Sequence, residues 1–266
     1  MARPWRTTAK GRAVVSLQSR LQDLRPEAAK VLTLDIETSP ATALVFSLKP
    51  DYISPNQVLE HSRVLCFAAK WQHEKQVLFF DERDGRRQMV EAAWQLLDEA
   101  DVVVGYNHVR FDIPHLHREM VELGYGPPSP AVDVDLLTEV RKHFRFMSNK
   151  LGAVLDCLGL DAKEDPGGFD TWKGVLAGDE AAWKRMAHYC KADVQVTENL
   201  LTYLQPWLRL PHAGLFTGDL HGCYSCGAQT LTPDGIARTR TTAYLRLVCA
   251  CGAHNRVMTD GTTRRA

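Results

Sequence analysis

Acidic residues at the ends of short apolar runs constrain this chain more than any other feature. Val31-Leu32-Thr33-Leu34 has strand character and runs into Asp35-Ile36-Glu37. A strand sends successive side chains to opposite faces, so Asp35 and Glu37 fall on the same side of a sheet. Like charges held side by side are costly, and such acids usually await a divalent cation, which prefers oxygen ligands. A second run, Val102-Val103-Val104, leads through Gly105-Tyr106-Asn107 towards Asp112. Asp193 lies in a long stretch of helical periodicity. A parallel pair of strands and a crossing helix would bring all four acids to one place. Taken singly, each has a plainer use: a strand-end cap for Asp35 and Glu37, a helix cap for Asp112, a solvated helix position for Asp193.

The hydrophobic pattern around these acids predicts three strands, a helix, a strand, a helix, a strand and then helices. The strands are expected over 31–36, 64–69 and 77–80, the last two as a hairpin, then 102–104 and 131–134. Helical periodicity covers 86–100 and 113–123, the latter closed by Gly124, and two amphipathic segments follow at 136–144 and 151–158. Residues 39–63, with Pro40, Pro50 and Pro55, read as irregular, and 165–172, with Pro166-Gly167-Gly168, as an exposed loop. Asp179 has the position of an N-cap, with Glu180 in the favourable first turn of a long helix. Its apolar face runs through Trp183, Met186, Ala187, Cys190, Val194, Leu201 and Leu204, and Pro206 ends it. Residues 1–30 read as a basic arm with a helical turn around 17–24.

Three stretches together resemble a known family. Asp35-Ile36-Glu37, then Asn107 with Phe111-Asp112, then Tyr189 with Asp193 match in order and spacing the three motifs of the DEDD (DnaQ-like) superfamily of 3′–5′ exonucleases. The third motif is in its tyrosine form, and the resemblance covers about residues 31–205. It implies a ribonuclease H-like α/β fold, a mixed five-stranded sheet flanked by helices, with two Mg2+ or Mn2+ ions in the active site. By the same resemblance Asp35 would serve both ions, Glu37 and Asp193 one of them, and Asp112 the other. Tyr189, four residues before Asp193, shares a helix face with it and would reach the attacking water. The family's other branch uses a histidine five residues before the aspartate, and His188 stands there, about 100° further round the helix. The tyrosine is the expected choice. Asn107 is expected near the scissile nucleotide and Phe111 against a terminal base, with a core position the plainer use of Phe111. Lys150, Asp133 and Asp135 are expected at helix starts and strand ends.

The seven cysteines divide. Cys66, Cys157 and Cys190 fall on apolar faces and read as core residues. Cys223, Cys226, Cys249 and Cys251 cluster near the end, and Cys-Tyr-Ser-Cys-Gly looks like a zinc-ribbon knuckle with strands after it. Four thiolates would hold one structural Zn2+ and supply folding energy to a segment too small for its own core. The second knuckle departs from the pattern, with only Ala250 between its cysteines, which leaves His254 as an alternative to Cys249.

Charge is unevenly spread although the net formal charge is zero. Residues 1–30 carry +5 and residues 206–266 carry +4, leaving −9 between them. Basic flanks around an acidic centre suit a protein that grips a phosphate backbone. No run is long and apolar enough for a membrane span, and no secretory leader stands at the start, so a reducing cytoplasmic setting is expected. The expected organisation is a basic arm (1–30), an exonuclease domain (31–205) and a zinc ribbon with a basic tail (206–266). With no polymerase or helicase region following, stand-alone members are the best match. The expected activity is release of nucleoside monophosphates from single-stranded DNA or a frayed 3′ end, with RNA possible as substrate. A ribonuclease or endonuclease on the same fold, or a binding module with a silent site, stays open.

Overall fold

Alternation along the strand Val31–Thr38 (β1) sets the layers of the structure, a computed structural model that describes residues 29–266 apart from 73, 162–166, 209, 218 and 259. The expected basic arm lies outside the described residues except for its last two. Leu32, Leu34 and Ile36 of β1 are buried in one apolar cluster, so Thr33, Asp35 and Glu37 turn to the opposite face. A slip of one residue would exchange these sets and forfeit about 2 kcal/mol for each buried side chain.

The described residues form two units, one mainly Val31–Thr138 with Phe146–Glu198, the other mainly Glu139–Arg145 with Asn199–Ala266. In the first, β1 is followed by β2 (Thr42–Ala43) and β3 (Val58–Glu60), which pair with each other. This small ribbon occupies the stretch expected to be irregular; strands of two and three residues carry no readable periodicity. Then come β4 (Val64–Trp71) and β5 (Leu78–Asp81), the expected antiparallel hairpin. The helix α1 (Arg86–Glu99), β6 (Val102–Gly105), α2 (Asp112–Glu122), β7 (Val132–Asp135), α3 (Leu136–His143) and α4 (Leu151–Leu158) follow. Helices α5 (Phe169–Leu176) and α6 (Glu180–Leu204) come next.

The sheet order is β5-β4-β1-β6-β7, with β1 antiparallel to β4 and parallel to β6. This is the mixed five-stranded, ribonuclease H-like arrangement that the motifs implied. One face packs on Met89, Val90, Ala93 and Leu97 of α1 and on Leu116 and Met120 of α2. On the other, Leu65, Cys66 and Ala68 meet Trp183, Met186, Cys190 and Val194 of α6. Asp179 caps α6 as expected, accepting from the Ala181 N–H at 2.9 Å. Asp135 caps α3, its Oδ1 accepting from the N–H groups of Leu137 and Thr138.

Two readings need correction. The segment expected as a loop over 165–172 holds the start of α5, with Thr171 buried and the Trp172 indole N–H donating to the Thr38 carbonyl at 3.0 Å. Gly167 and Gly168 have positive φ and turn the chain just before the helix, so the glycines punctuate a boundary rather than a loop. Asp165 and Pro166 lie outside the described residues. Cys157 is exposed rather than core: it sits about 200° round α4 from buried Leu155.

Buried polar groups tie the layers together. Glu119 of α2, wholly buried, accepts from the Val64 N–H at 3.0 Å and from Arg86 Nε at 2.6 Å. Lys70 of β4 donates to Glu198 of α6 at 2.7 Å, with both side chains largely out of water.

The second unit contains α7 (Gly214–Thr217) and an antiparallel sheet of β8 (Leu231–Arg238), β9 (Ala243–Cys249), β10 (His254–Val257) and β11 (Thr263–Arg265). The buried cluster around its cysteines is small: Cys223, Tyr224, Cys249 and Ala253, with Leu231 against them. Asn255 is buried beside it, accepting from the Tyr224 N–H and donating to the Ala253 carbonyl. Among the described residues no helix is long and apolar enough to cross a membrane.

The Lys70–Glu198 pair carries a direct test. Glu198→Gln leaves a buried ammonium without its counter-charge, so unfolding free energy is expected to fall by about 3 kcal/mol, read from the urea midpoint. Combining Lys70→Met with Glu198→Leu is expected to restore most of that loss.

Candidate metal centre

Asp35 and Glu37 stand on one face of β1, opposite Ala68 and Cys66 of β4 in register. Helix α6 crosses this face closely enough for the Cys190 thiol to lie 3.6 Å from the Asp35 carbonyl. Asp193 is three residues further along α6, one turn on. One oxygen from each of Asp35, Glu37 and Asp193 lies within 4.8 Å of the others. Asp193 is 2% exposed, while Asp35 and Glu37 are half-buried. Carboxylates at this separation repel by about 3 kcal/mol per pair at an effective dielectric near 20. The oxygens fit a hard divalent cation, which would turn that repulsion into attraction.

Asp112 is buried at the first position of α2 and is held differently. Its Oδ1 accepts from the Ile36 N–H at 3.0 Å. The parallel ladder between β1 and β6 ends at Thr33 and Val104, so the Asp112 carboxylate takes a donor beyond the end of that ladder. The structure thus brings Asp112 to the backbone between Asp35 and Glu37, outside the group of three converging oxygens.

On α6, Tyr189 is 9% exposed and His188 is exposed. Tyr189 therefore shares the inward face with Asp193, and His188 turns to solvent. Asn107 adopts φ of 70°, a left-handed conformation its short amide tolerates, and its carbonyl accepts from the N–H groups of Arg110 and Phe111. Its own N–H donates to Asp135 Oδ1 at 3.0 Å. Phe111 is 40% exposed, with its ring 4.8 Å from that of His115, so it is not a core residue. Beneath this turn His108 is wholly buried against Asp133 at 3.1 Å, and burial lowers its pKa. A Cβ at Gly105 would come within 2.6 Å of the His108 Cβ, so the turn requires glycine there.

Immediately after Glu37 a cleft of about 440 Å³ opens between Thr38, Ser39 and Pro40 on one side and Gly168, Phe169 and Trp172 on the other. Sequence reasoning missed this wall, because it took 165–172 as a loop. The signal was present: Phe169 and Trp172 are three apart, one helical turn, directly after two glycines. It also missed the Lys70–Glu198 tie, whose signal was a lysine inside an apolar strand.

In the second unit the sulfurs of Cys223, Cys226, Cys249 and Cys251 lie within 4.8 Å of one another. The Cys223–Cys251 and Cys226–Cys249 sulfurs are 3.8 and 3.6 Å apart. Tetrahedral zinc with bonds of about 2.3 Å requires sulfurs about 3.8 Å apart, so the donor set fits. The short second knuckle is accommodated because the chain turns at Gly252, φ 89°, directly after Cys251. His254 is exposed and bonds Asp234 at 3.1 Å, away from the sulfur cluster.

Crowding of the three acids gives an expected signature. Without added divalent ions, Glu37→Gln should raise stability by about 1 kcal/mol by removing one repelling charge, or a few degrees in Tm. With Mn2+ added, the wild-type chain should gain more in Tm than the variant. Thermal unfolding with and without Mn2+ checks both.

Three comparisons with known proteins bear on this geometry. The family model described as RNase_H superfamily matches residues 59–205. Nothing among the curated proteins matches. A solved family B DNA polymerase from the hyperthermophilic archaeon Pyrobaculum calidifontis is similar in structure, with a TM-score of 0.50 and 22% identity, over 83% of this chain and 32% of that one. The chain thus spans about a third of that polymerase, and the likeness speaks to the fold alone. The family match covers more than half of the chain, including β4, β6, α2 and α6 that surround the acids: the chain belongs to the RNase_H superfamily.

Proposed function

We propose that this member of a nuclease superfamily is a metal-dependent 3′–5′ exonuclease of the tyrosine DEDD branch, acting on single-stranded DNA. The observation that carries the reading is the convergence of Asp35 and Glu37 from β1 with Asp193 from α6. Two Mg2+ or Mn2+ ions bound there would lower the pKa of water and neutralise charge on the leaving oxygen. Asp35, Glu37 and Asp193 are the ligands this chain offers, with Asp112 as the fourth from the first turn of α2. The Tyr189 hydroxyl orients the attacking water, supported by its inward face on α6. The cleft beside Thr38 offers room for the terminal nucleotide, with Phe169 and Trp172 as aromatic surface for a base. Asn107 and Phe111 border the same chemistry, Phe111 through its exposed ring. Attack on the terminal phosphodiester breaks the bond to the 3′ oxygen and releases a nucleoside monophosphate.

In this reading residues 31–205 form the catalytic domain and 206–266 a zinc ribbon that helps hold the strand. One Zn2+ on Cys223, Cys226, Cys249 and Cys251 is supported by the sulfur spacing. A reducing compartment suits four thiolates kept as ligands. Elemental analysis should find one zinc per chain, and Cys226→Ser should lose it together with the cooperative unfolding of this small module.

End-labelled DNA and RNA oligonucleotides, linear and circular, incubated with Mg2+, Mn2+ or no divalent ion, test the activity. Stepwise shortening of linear DNA from its 3′ end, only with divalent ion, is expected; cutting of circles would sink the exonuclease reading. Tyr189→Phe should slow the reaction by about 10²-fold or more, with His188→Ala nearly unchanged. The opposite ranking would move the water-orienting role to the histidine.

A further inference from the structure

The sheet of the second unit carries an arrangement of arginines that its own contacts do not explain. Arg246 of β9 is directly opposite Arg256 of β10, and Arg256 is directly opposite Arg264 of β11. Like charges facing one another across strands destabilise a sheet unless something negative answers them. Arg246 is answered, by Asp234 at 2.9 Å. Arg256 and Arg264 are not: among the described residues no carboxylate lies within ion-pair distance of either, nor of Arg265.

These three arginines border a cleft of about 780 Å³ with Tyr224, His212 and Asp260. Arg256 Nε and Arg265 Nη1 are buried without a hydrogen-bond partner among the described residues. A buried guanidinium N–H left unpaired costs more than an ordinary hydrogen bond gains. Asp260, the one acidic side chain of the lining, is occupied in its own turn, accepting from the Thr262 N–H and hydroxyl at 3.0 and 2.7 Å. Arg256 also packs over the Tyr244 ring, 5.0 Å from its centre, so its guanidinium plane is held rather than free. Positive charge, held donors and an open volume of ligand size define a receptor for an oxyanion.

We propose that this cleft binds a backbone phosphate of a nucleic-acid strand, with Arg256 and Arg264 as its principal contacts and Arg265 beside them. A planar guanidinium presents a fork of donors that matches phosphate oxygens. The contact reads no base, so the site grips any sequence. The proposal rests on the reading above that this module helps hold the strand, and it needs no cleavage.

The test uses the full chain carrying Asp35→Asn, so that strands are not consumed, with binding read by fluorescence anisotropy of labelled single strands of several sequences. Salt is varied from about 50 to 200 mM. Arg256→Gln with Arg264→Gln should weaken binding about tenfold on every sequence and reduce the salt slope by about 1 for each arginine removed. Arg238→Gln with Arg240→Gln, outside the cleft, should cost clearly less. Unchanged affinity and slope in the first pair would overturn the proposal, and so would an equal loss in the second. Arg264→Gln alone keeps the test valid if the double variant unfolds, because that side chain is exposed and half of the slope change is then expected. A wild-type chain that binds through these arginines but cuts nothing with Mg2+ or Mn2+ would remove the exonuclease reading and leave this site standing.

Discussion

Everything at the acidic centre depends on the packing of α6 across the acid-bearing face of β1 and β4. On one side of the strand, Leu32, Leu34 and Ile36 lock the register by burial. On the other, that same register leaves Asp35 and Glu37 facing a helix whose Cys190 and Val194 press on Cys66 and Ala68. The helix cannot withdraw without exposing Trp183, Met186 and Cys190, so the apolar contacts hold together charges that repel. Hydrophobic burial supplies a force with no preferred direction; the electrostatic strain it overcomes is confined to one point. A site of this kind trades stability for readiness to bind a cation.

Buried polar groups refine what the apolar layers begin. Lys70 and Glu198 join β4 to α6 little more than a turn beyond Asp193, so the depth and rotation of the helix are set on the side where a ligand needs them. Glu119 does the same for α2, anchoring it to the start of β4, and thereby steadies Asp112 at the other end of that helix. Asp112 has a structural role that a ligand list conceals, since it accepts from Ile36 between the two acids of β1. The second unit solves a different problem. The cluster around its cysteines is too small to hold the β8–β11 sheet by apolar burial alone, and four sulfurs and buried Asn255 stand where a larger core would have leucines.

Much of this was legible in the residues. The strand and helix order, the shared face of Asp35 and Glu37, the cap at Asp179 and the grouping of four cysteines follow from local pattern. Other features were not legible, for identifiable reasons. The β2–β3 ribbon is too short to show a period. Helix α5 was hidden because glycines that start a helix look like glycines in a loop. Cys157 was misjudged because a helix of eight residues has faces too narrow for composition to separate.

By itself the sequence determined which residue types stand at which local faces, because the periods of strand and helix are properties of the backbone. It also determined that Tyr189 and Asp193 share a side of their helix, and which cysteines were available as ligands. Only the tertiary structure decided that Tyr189 faces inward while His188 faces water, that Asp112 bonds the β1 backbone, and that His254 stands apart from the sulfurs. It alone put three arginines opposite one another across strands. These outcomes rest on register and crossing angle, which are set by long-range packing between segments that carry no local record of their partners.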